Sequence, residues 1–307
     1  MLIYKTSLND VKCFVAVFRK SDNSIIKFME ISAINIYPVK SLGGISMTEA
    51  AVEKRGFRYD RRWMLTDEEG IFFTQREVPL MATLSIEINA DGLLISNSRG
   101  EKLRVPFEFE KGRMEKVRVW QSVCDAFVLP APVNEWLSDA LGKKCRMVYM
   151  PDESERPVNP RFAVNGEIVS FADGYPFMLI GQSSLDDLNS RLETKLPMNR
   201  FRPNLVVSGA EAFAEDRWKK IRIGETVFRA TKPCARCVIT TIEQSAGRFD
   251  GKEPLKTLAA YRRAKDVFPD DLETFGLDEN SVMFGQNLVA ENFGSTVRVG
   301  DPLEILA

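Results

Sequence analysis

The chain of 307 residues contains no histidine. That absence excludes a Ser-His-Asp triad, a Cys-His nucleophile pair, an HExxH zinc helix and a Cys2His2 finger. Any catalysis must draw on carboxylate, Lys, Tyr, Cys, a metal or an organic cofactor. Cysteine is scarce too, with five residues at Cys13, Cys124, Cys145, Cys234 and Cys237. The number is odd and three of them stand alone, so no disulfide framework is expected and a reducing compartment is. Long apolar runs are missing. The longest near the N-terminus, Cys13–Phe18, is far too short to span a bilayer and has no signal-peptide cleavage pattern. An excess of one charge is missing as well: 42 Lys plus Arg face 43 Asp plus Glu. An anion site must therefore arise from local clustering, and a general nucleic-acid binder, which leans basic, is not indicated. The expectation is a cytoplasmic globular protein with neither membrane nor nucleic acid as partner.

What is present is ordinary globular composition, 44% hydrophobic and 28% charged. The length predicts two domains. Residues 1–28 differ in pattern from the rest of the chain and read either as an upstream extension or as an added edge strand. From Ile31–Tyr37 to about residue 130 the pattern is one of short strands: 49–54, 61–66, 71–74, 81–88, 92–96, 102–105, 115–120 and 124–129. Their turns carry Asp91-Gly92 and Arg99-Gly100, a hairpin chemistry that points to a barrel or sandwich. A helix over 132–141, stopped by Gly142, closes this half. The Pro-rich and charged stretch 151–160 reads as the linker, giving domains of 29–150 and 151–307. In the second half, Ser183 or Ser184 can cap a helix bearing Leu185, Leu188 and Leu192 on one face. A second helix is expected over 254–265. Strands are expected at 204–208, 219–223, 226–230, 238–242, 287–291 and 297–299. The fold class is thus mainly β with a few helices (α+β).

Four segments could carry chemistry. In Lys232-Pro-Cys-Ala-Arg-Cys237, a zinc site lacks its remaining ligands, and a thioredoxin-type CxxC should open a helix. Here β-branched residues follow, which reads as a strand. One cysteine acting as a metal thiolate, with Lys232 and Arg236 favouring ionisation, is the third reading; two inert thiols are the fourth. After the first strand, Lys40-Ser41-Leu42-Gly43-Gly44 offers a charge, a hydroxyl and exposed backbone N–H groups, as an anion cradle or as a plain turn. Arg61-Arg62 and Arg200-Phe-Arg202 stand beside aromatics, suited to phosphate, to a planar ring or to a solvated face. Asp173, in a Gly/Pro-constrained loop, is either a proton donor or acceptor, or an Asx-turn former.

Taken together, these segments resemble the MOSC superfamily, the molybdenum-cofactor-sulfurase C-terminal domain, preceded by its N-terminal β-barrel domain. INIYPVKSLGG, GFRYDRRWML and FTQREVP mark the first half. FADGYPFMLIGQSSLDDLNSRL, NRFRPNLVVSG, KPCARCVITTIEQSAG, KEPLKTLAAYR, FGQN and VGDPLEIL mark the second. Within the superfamily the chain is similar to the amidoxime-reducing proteins of mitochondria and their bacterial YcbX-like counterparts. The resemblance implies a MOSC-type β-barrel and a molybdenum cofactor (Mo-molybdopterin), with Cys237 as the metal's thiolate and Cys234 the poorer candidate. It implies Lys40, Ser41, Arg61 and Arg202 around the anionic pterin, and Asp173 close to the metal. The implied reaction is reduction of small N-hydroxylated substrates. Some bacterial relatives carry a ferredoxin domain, whose cysteine spacing is missing here, so electrons are expected from a separate protein. The alternative is a persulfide sulfur carrier on Cys237, or a cofactor-handling protein.

Overall fold

The computed structural model describes residues 28–307. The expectation for residues 1–28 therefore lies outside the described residues, Phe28 excepted. Among the described residues no helix is long and apolar enough to cross a membrane.

The fold is mainly β. Its largest sheet has eight strands, in the order Ile45–Met47, Glu30–Ile36, Leu205–Ser208, Phe177–Gly181, Met283–Ala290, Thr226–Ala235, Lys220–Ile223 and Leu303–Ile305. Adjacent strands are antiparallel, except that Phe177–Gly181 and Leu205–Ser208 run parallel. A parallel pair needs a crossover, and the helix Gln182–Ser190 supplies it, with Leu185 and Leu188 buried against Phe201 and Phe284. A four-stranded sheet (Trp63–Thr66, Arg146–Tyr149, Ser122–Val128, Met114–Val119) and a three-stranded one (Ser85–Ile88, Gly92–Ser96, Lys102–Pro106) build the first half. The helix Ala131–Leu141 buries Val133, Leu137 and Leu141, four residues apart, and ends at Gly142 in the left-handed region. Each buried side chain of that size contributes about 1.5–3 kcal/mol.

The halves are interleaved. Glu30–Ile36 pairs with Leu205–Ser208, and Thr296–Arg298 near the C-terminus pairs with Glu49–Glu53. A core of Ile31, Ile34, Val52, Phe57, Phe177, Phe228, Val297 and others draws on both ends of the chain. The stretch 151–160 is anchored by the buried Pro151, Ser154, Arg156 and Val158, while its Asp and Glu residues are exposed.

Several local expectations differ from what is observed. Val238–Thr241 is a 3-10 turn, not a strand. The Thr240 hydroxyl donates to Cys237 O at 2.9 Å and the Thr241 hydroxyl to Val238 O at 2.8 Å. Threonine hydroxyls thus serve carbonyls that a strand would offer to a neighbour. The helix expected over 254–265 breaks into Leu255–Leu258 and Ala264–Val267. Between them Arg262 is buried and paired to Asp216 at 2.5 Å, and Arg263 bridges to Val282. Neither Ser183 nor Ser184 caps its helix; Ser184 Oγ donates to the buried Glu215 at 2.7 Å. The strand expected at 71–74 amounts to isolated bridges, and 79–83 forms a 3-10 turn ahead of Ser85–Ile88. Arg146–Tyr149, Phe177–Gly181 and Leu303–Ile305 are strands that pattern reading passes over.

Candidate functional site

Where the two halves meet lies a cleft open to solvent. Lys40, Ser41 and Arg61 line it from the first half; Asp173, Arg202 and Cys237 line it from the second. All six residues singled out from sequence therefore face one space, although up to 197 positions separate them (237 minus 40).

The backbone is bent to bring them there. Ser41, Arg61 and Arg202 have φ of 68°, 49° and 55°, three of six non-glycine residues with positive φ among those described. Such conformations are unfavourable for L-residues and gather at functional sites. Ser41 is held from behind by Gln75, whose Nε2 donates to its carbonyl at 2.7 Å. The 170–173 loop is fixed by Arg156, which donates to the carbonyls of Ser170, Ala172 and Asp173.

The charges are unevenly matched. Lys40 Nζ donates to Asp173 Oδ1 at 2.5 Å, and Trp120 Nε1 donates to the same oxygen at 3.1 Å. Burial lowers the Lys40 ammonium to about 8, although Asp173 pulls the other way. Burial would raise the Asp173 carboxyl, but Lys40, Trp120 and the more distant Arg76 together hold it well below the usual carboxylate range. Its side chain is 66% exposed toward the cleft. At neutral pH Asp173 is an acceptor, not a proton donor. Arg61 grips both oxygens of the buried Asp60, at 2.9 and 2.7 Å, and Asn204 Oδ1 at 3.1 Å. Arg61 and Arg202 each stand 4.2 Å from the centre of the Tyr37 ring. Arg202 pairs with no carboxylate: its Nη2 is buried without a hydrogen-bond partner among the described residues, and burial lowers it to about 10.

Both CxxC thiols reach the cleft. Cys234 Sγ receives Arg236 Nη1 at 3.0 Å, and Cys237 Sγ receives Arg76 Nη2 at 3.1 Å. Lys232 makes no hydrogen bond to either sulfur; it donates to Gly276 O and lies over Phe162, interacting with Cys234 only through its charge. Arg76, from the first half, stands where sequence reading put Lys232. Sequence reading passed over both Arg76 and Trp120. Arg76 sits in FTQREVP with no local pattern to mark it, and Trp120 is set by a hairpin bend invisible in composition. Among the described residues no cluster of three Cys, Asp or Glu could hold a metal by itself.

The donor set fits an anionic group carrying a thiophilic metal. A buried guanidinium N–H without an acceptor, beside three further cations, calls for anionic oxygen. An accessible thiol is the soft ligand such a metal prefers. Two family models match the chain in tandem: the MOSC N-terminal beta barrel domain over residues 28–144 and the MOSC domain over 166–304. The chain is 33% identical to mitochondrial amidoxime-reducing component 1 of Mus musculus, covering 90% of this chain and 82% of that one. This chain belongs to the MOSC family. Among its MOSC relatives, mitochondrial amidoxime reducing component 2 of Rattus norvegicus is also 33% identical, over 89% of this chain and 82% of its own. The molybdenum cofactor sulfurase of Oryza sativa is 32% identical over 92% of this chain, which spans 36% of that longer protein. The interleaved strands described above tie together the two regions that the MOSC models match separately.

Proposed function

We propose that this MOSC protein is a molybdenum-cofactor-dependent reductase of N-hydroxylated compounds that takes its electrons from a separate protein. The observation that carries the reading is the meeting, in one cleft, of the Cys237 thiol with an Arg202 guanidinium that is buried and unpartnered. The relatives named for amidoxime reduction, matched over most of their length, support the reaction class. In this reading Cys237 is the metal's thiolate, and Lys40, Ser41, Arg61 and Arg202 hold the anionic end of the pterin. Bound there, the cofactor supplies the two-electron redox chemistry for cleaving an N–O bond. The chain's own residues do the rest. Arg76 keeps positive charge 3.1 Å from the Cys237 sulfur. Asp173 offers a carboxylate oxygen to a substrate N–H, and the two halves together exclude bulk water from the inner end of the cleft.

The test is protein purified from a host that makes the cofactor, assayed for molybdenum, pterin and turnover of an N-hydroxylated compound. Cys237→Ser should lose turnover, while Cys234→Ser should keep most of it. Full activity in Cys237→Ser would overturn the assignment. The 32% identity to a molybdenum cofactor sulfurase favours a second reading, a sulfur carrier. That reading expects a reducible sulfur adduct on Cys237 and no turnover.

A further inference from the structure

Trp120 is built unlike the two core tryptophans of the described residues. Trp63 and Trp218 are core residues, 1% and 7% exposed, whereas Trp120 is 40% exposed. It is the first of two loop residues in the hairpin that joins Met114–Val119 to Ser122–Val128. There it has φ of 54°. Tight two-residue hairpins that need positive φ at that position favour Gly, Asn or Asp, and a bulky aromatic is strained there. Nothing in the hairpin's own pairing calls for an indole.

The indole stands at the rim of the cleft, beside Asp173, which lines it. Its Nε1 donates to Asp173 Oδ1, the Phe72 ring meets it edge-on at 4.9 Å, and the Arg76 guanidinium lies 4.9 Å from its ring centre. Arg76 in turn reaches Cys237, and Lys40 lies 5.5 Å from the Phe72 ring centre. Both Lys40 and Trp120 use Oδ1, so Asp173 Oδ2 is left without a partner among the described residues. An apolar plane thus stands next to an unengaged carboxylate oxygen.

Resting on the reductase reading, we infer that Trp120 is a specificity-determining residue. Its indole forms the wall on which a flat aryl substituent of the substrate stacks, while Asp173 Oδ2 accepts an N–H of the nitrogen group attached to it. Aromatic stacking adds affinity beyond area burial, so the wall favours aryl-bearing compounds over small alkyl ones.

The experiment compares Trp120→Gly and Trp120→Phe with the unaltered holoenzyme on an aryl amidoxime and its methyl counterpart. Binding of benzamidine and acetamidine is measured alongside by calorimetry, which needs no turnover. Trp120→Gly should lower the aryl-to-methyl ratio of kcat/KM about tenfold, and weaken benzamidine about tenfold relative to acetamidine. Because glycine suits the positive φ, melting temperature should hold or rise. Trp120→Phe, which keeps a ring and loses the N–H, should keep the ratio within about threefold. A ratio unchanged within twofold in Trp120→Gly overturns the proposal, as does a lowered melting temperature with both ligands weakened alike. If the unaltered protein reduces neither amidoxime, the reductase reading fails, and selective benzamidine binding still tests the wall.

Discussion

Lys40 Nζ lies 2.5 Å from Asp173 Oδ1, an ion pair between residues 133 positions apart that pins the first half of the chain to the second across the cleft. The lysine is 5% exposed and burial brings it to about 8, so its charge is held only up to mildly alkaline pH.

That value sets two pH dependences of opposite sign. Between about 8 and the ordinary lysine value, the unfolded chain carries a proton that folded Lys40 has lost. Stability from this group therefore rises as pH climbs through that window. Anion retention runs the other way, because the ammonium disappears. From about pH 7 to about pH 9 cofactor occupancy should fall in the unaltered protein. It should fall less in Lys40→Arg, whose guanidinium stays charged. Occupancy titrations with identical slopes in both proteins would show that Lys40 is not the anchor.

Arg61 and Arg202 look equivalent in sequence and should behave differently when removed. Arg61 neutralises Asp60, whose side chain is fully buried and otherwise served by the Tyr37 N–H. Arg61→Ala strands that carboxylate, and loss of one partner from a buried pair costs about 3–5 kcal/mol. Arg202 has no such partner, so Arg202→Ala sheds a desolvated charge. It should change stability by less than about 1 kcal/mol, the lost Tyr37 contact being offset. Both should weaken cofactor retention by about 1–3 kcal/mol. Denaturant melts with metal analysis separate the two effects, and equal destabilisation by both variants would contradict this account.

The same contrast shows what a sequence can and cannot convey. The Lys40-Ser41 turn, the two arginine clusters, Asp173 and CxxC were legible because each pairs a reactive side chain with constrained backbone. The mainly β class was legible from alternation and turn residues. Arg76 and Trp120 were not, because they reach the cleft only through pairings made far away. Ile71 bridges Arg118, and this aligns the Arg76 segment with the Trp120 hairpin. Val238–Thr241 misled for a local reason: β-branched threonines favour strands, but their hydroxyls also close turns. The path of Glu30–Ile36 into the second-half sheet leaves no trace in its own residues, which would suit either sheet.

Gly285 supports the cleft from behind. It sits in Met283–Ala290, between the strand that leads into helix Gln182–Ser190 and the strand that carries Cys234. Its φ is 85°, and a Cβ there would lie 2.7 Å from Ile180 Cγ1 and 2.8 Å from Leu179 O. Ile180 is fully buried and a strand carbonyl cannot yield cheaply. Gly285→Ala should therefore cost about 2–4 kcal/mol, combining positive φ with overpacking. Equilibrium unfolding in urea measures it. A loss under about 1 kcal/mol would mean that the sheet adjusts freely at this point.

The interleaving of strands predicts how the molecule unfolds. If Glu30–Ile36 and Glu49–Glu53 belonged to an autonomous first domain, a chain of residues 151–307 could fold alone. The pairing says otherwise. Without Glu30–Ile36, Leu205–Ser208 becomes a bare edge, and Thr296–Arg298 loses its only neighbour in its sheet, Glu49–Glu53. Ile31, Ile34, Ile36, Val52 and Phe57 also leave the core that Phe177, Phe228 and Val297 share. At about 1.5–3 kcal/mol for each large apolar side chain, five such losses match the whole stability of an ordinary domain. An exposed apolar edge is in addition a template for aggregation. The 151–307 chain should accordingly show weak near-ultraviolet circular dichroism, bind a hydrophobic dye and aggregate. Residues 28–307 should melt in one calorimetric transition whose van't Hoff and calorimetric enthalpies agree. Two resolved transitions, or a monomeric 151–307 chain with native-like spectra, would show that the halves are separate folding units meeting only at the cleft.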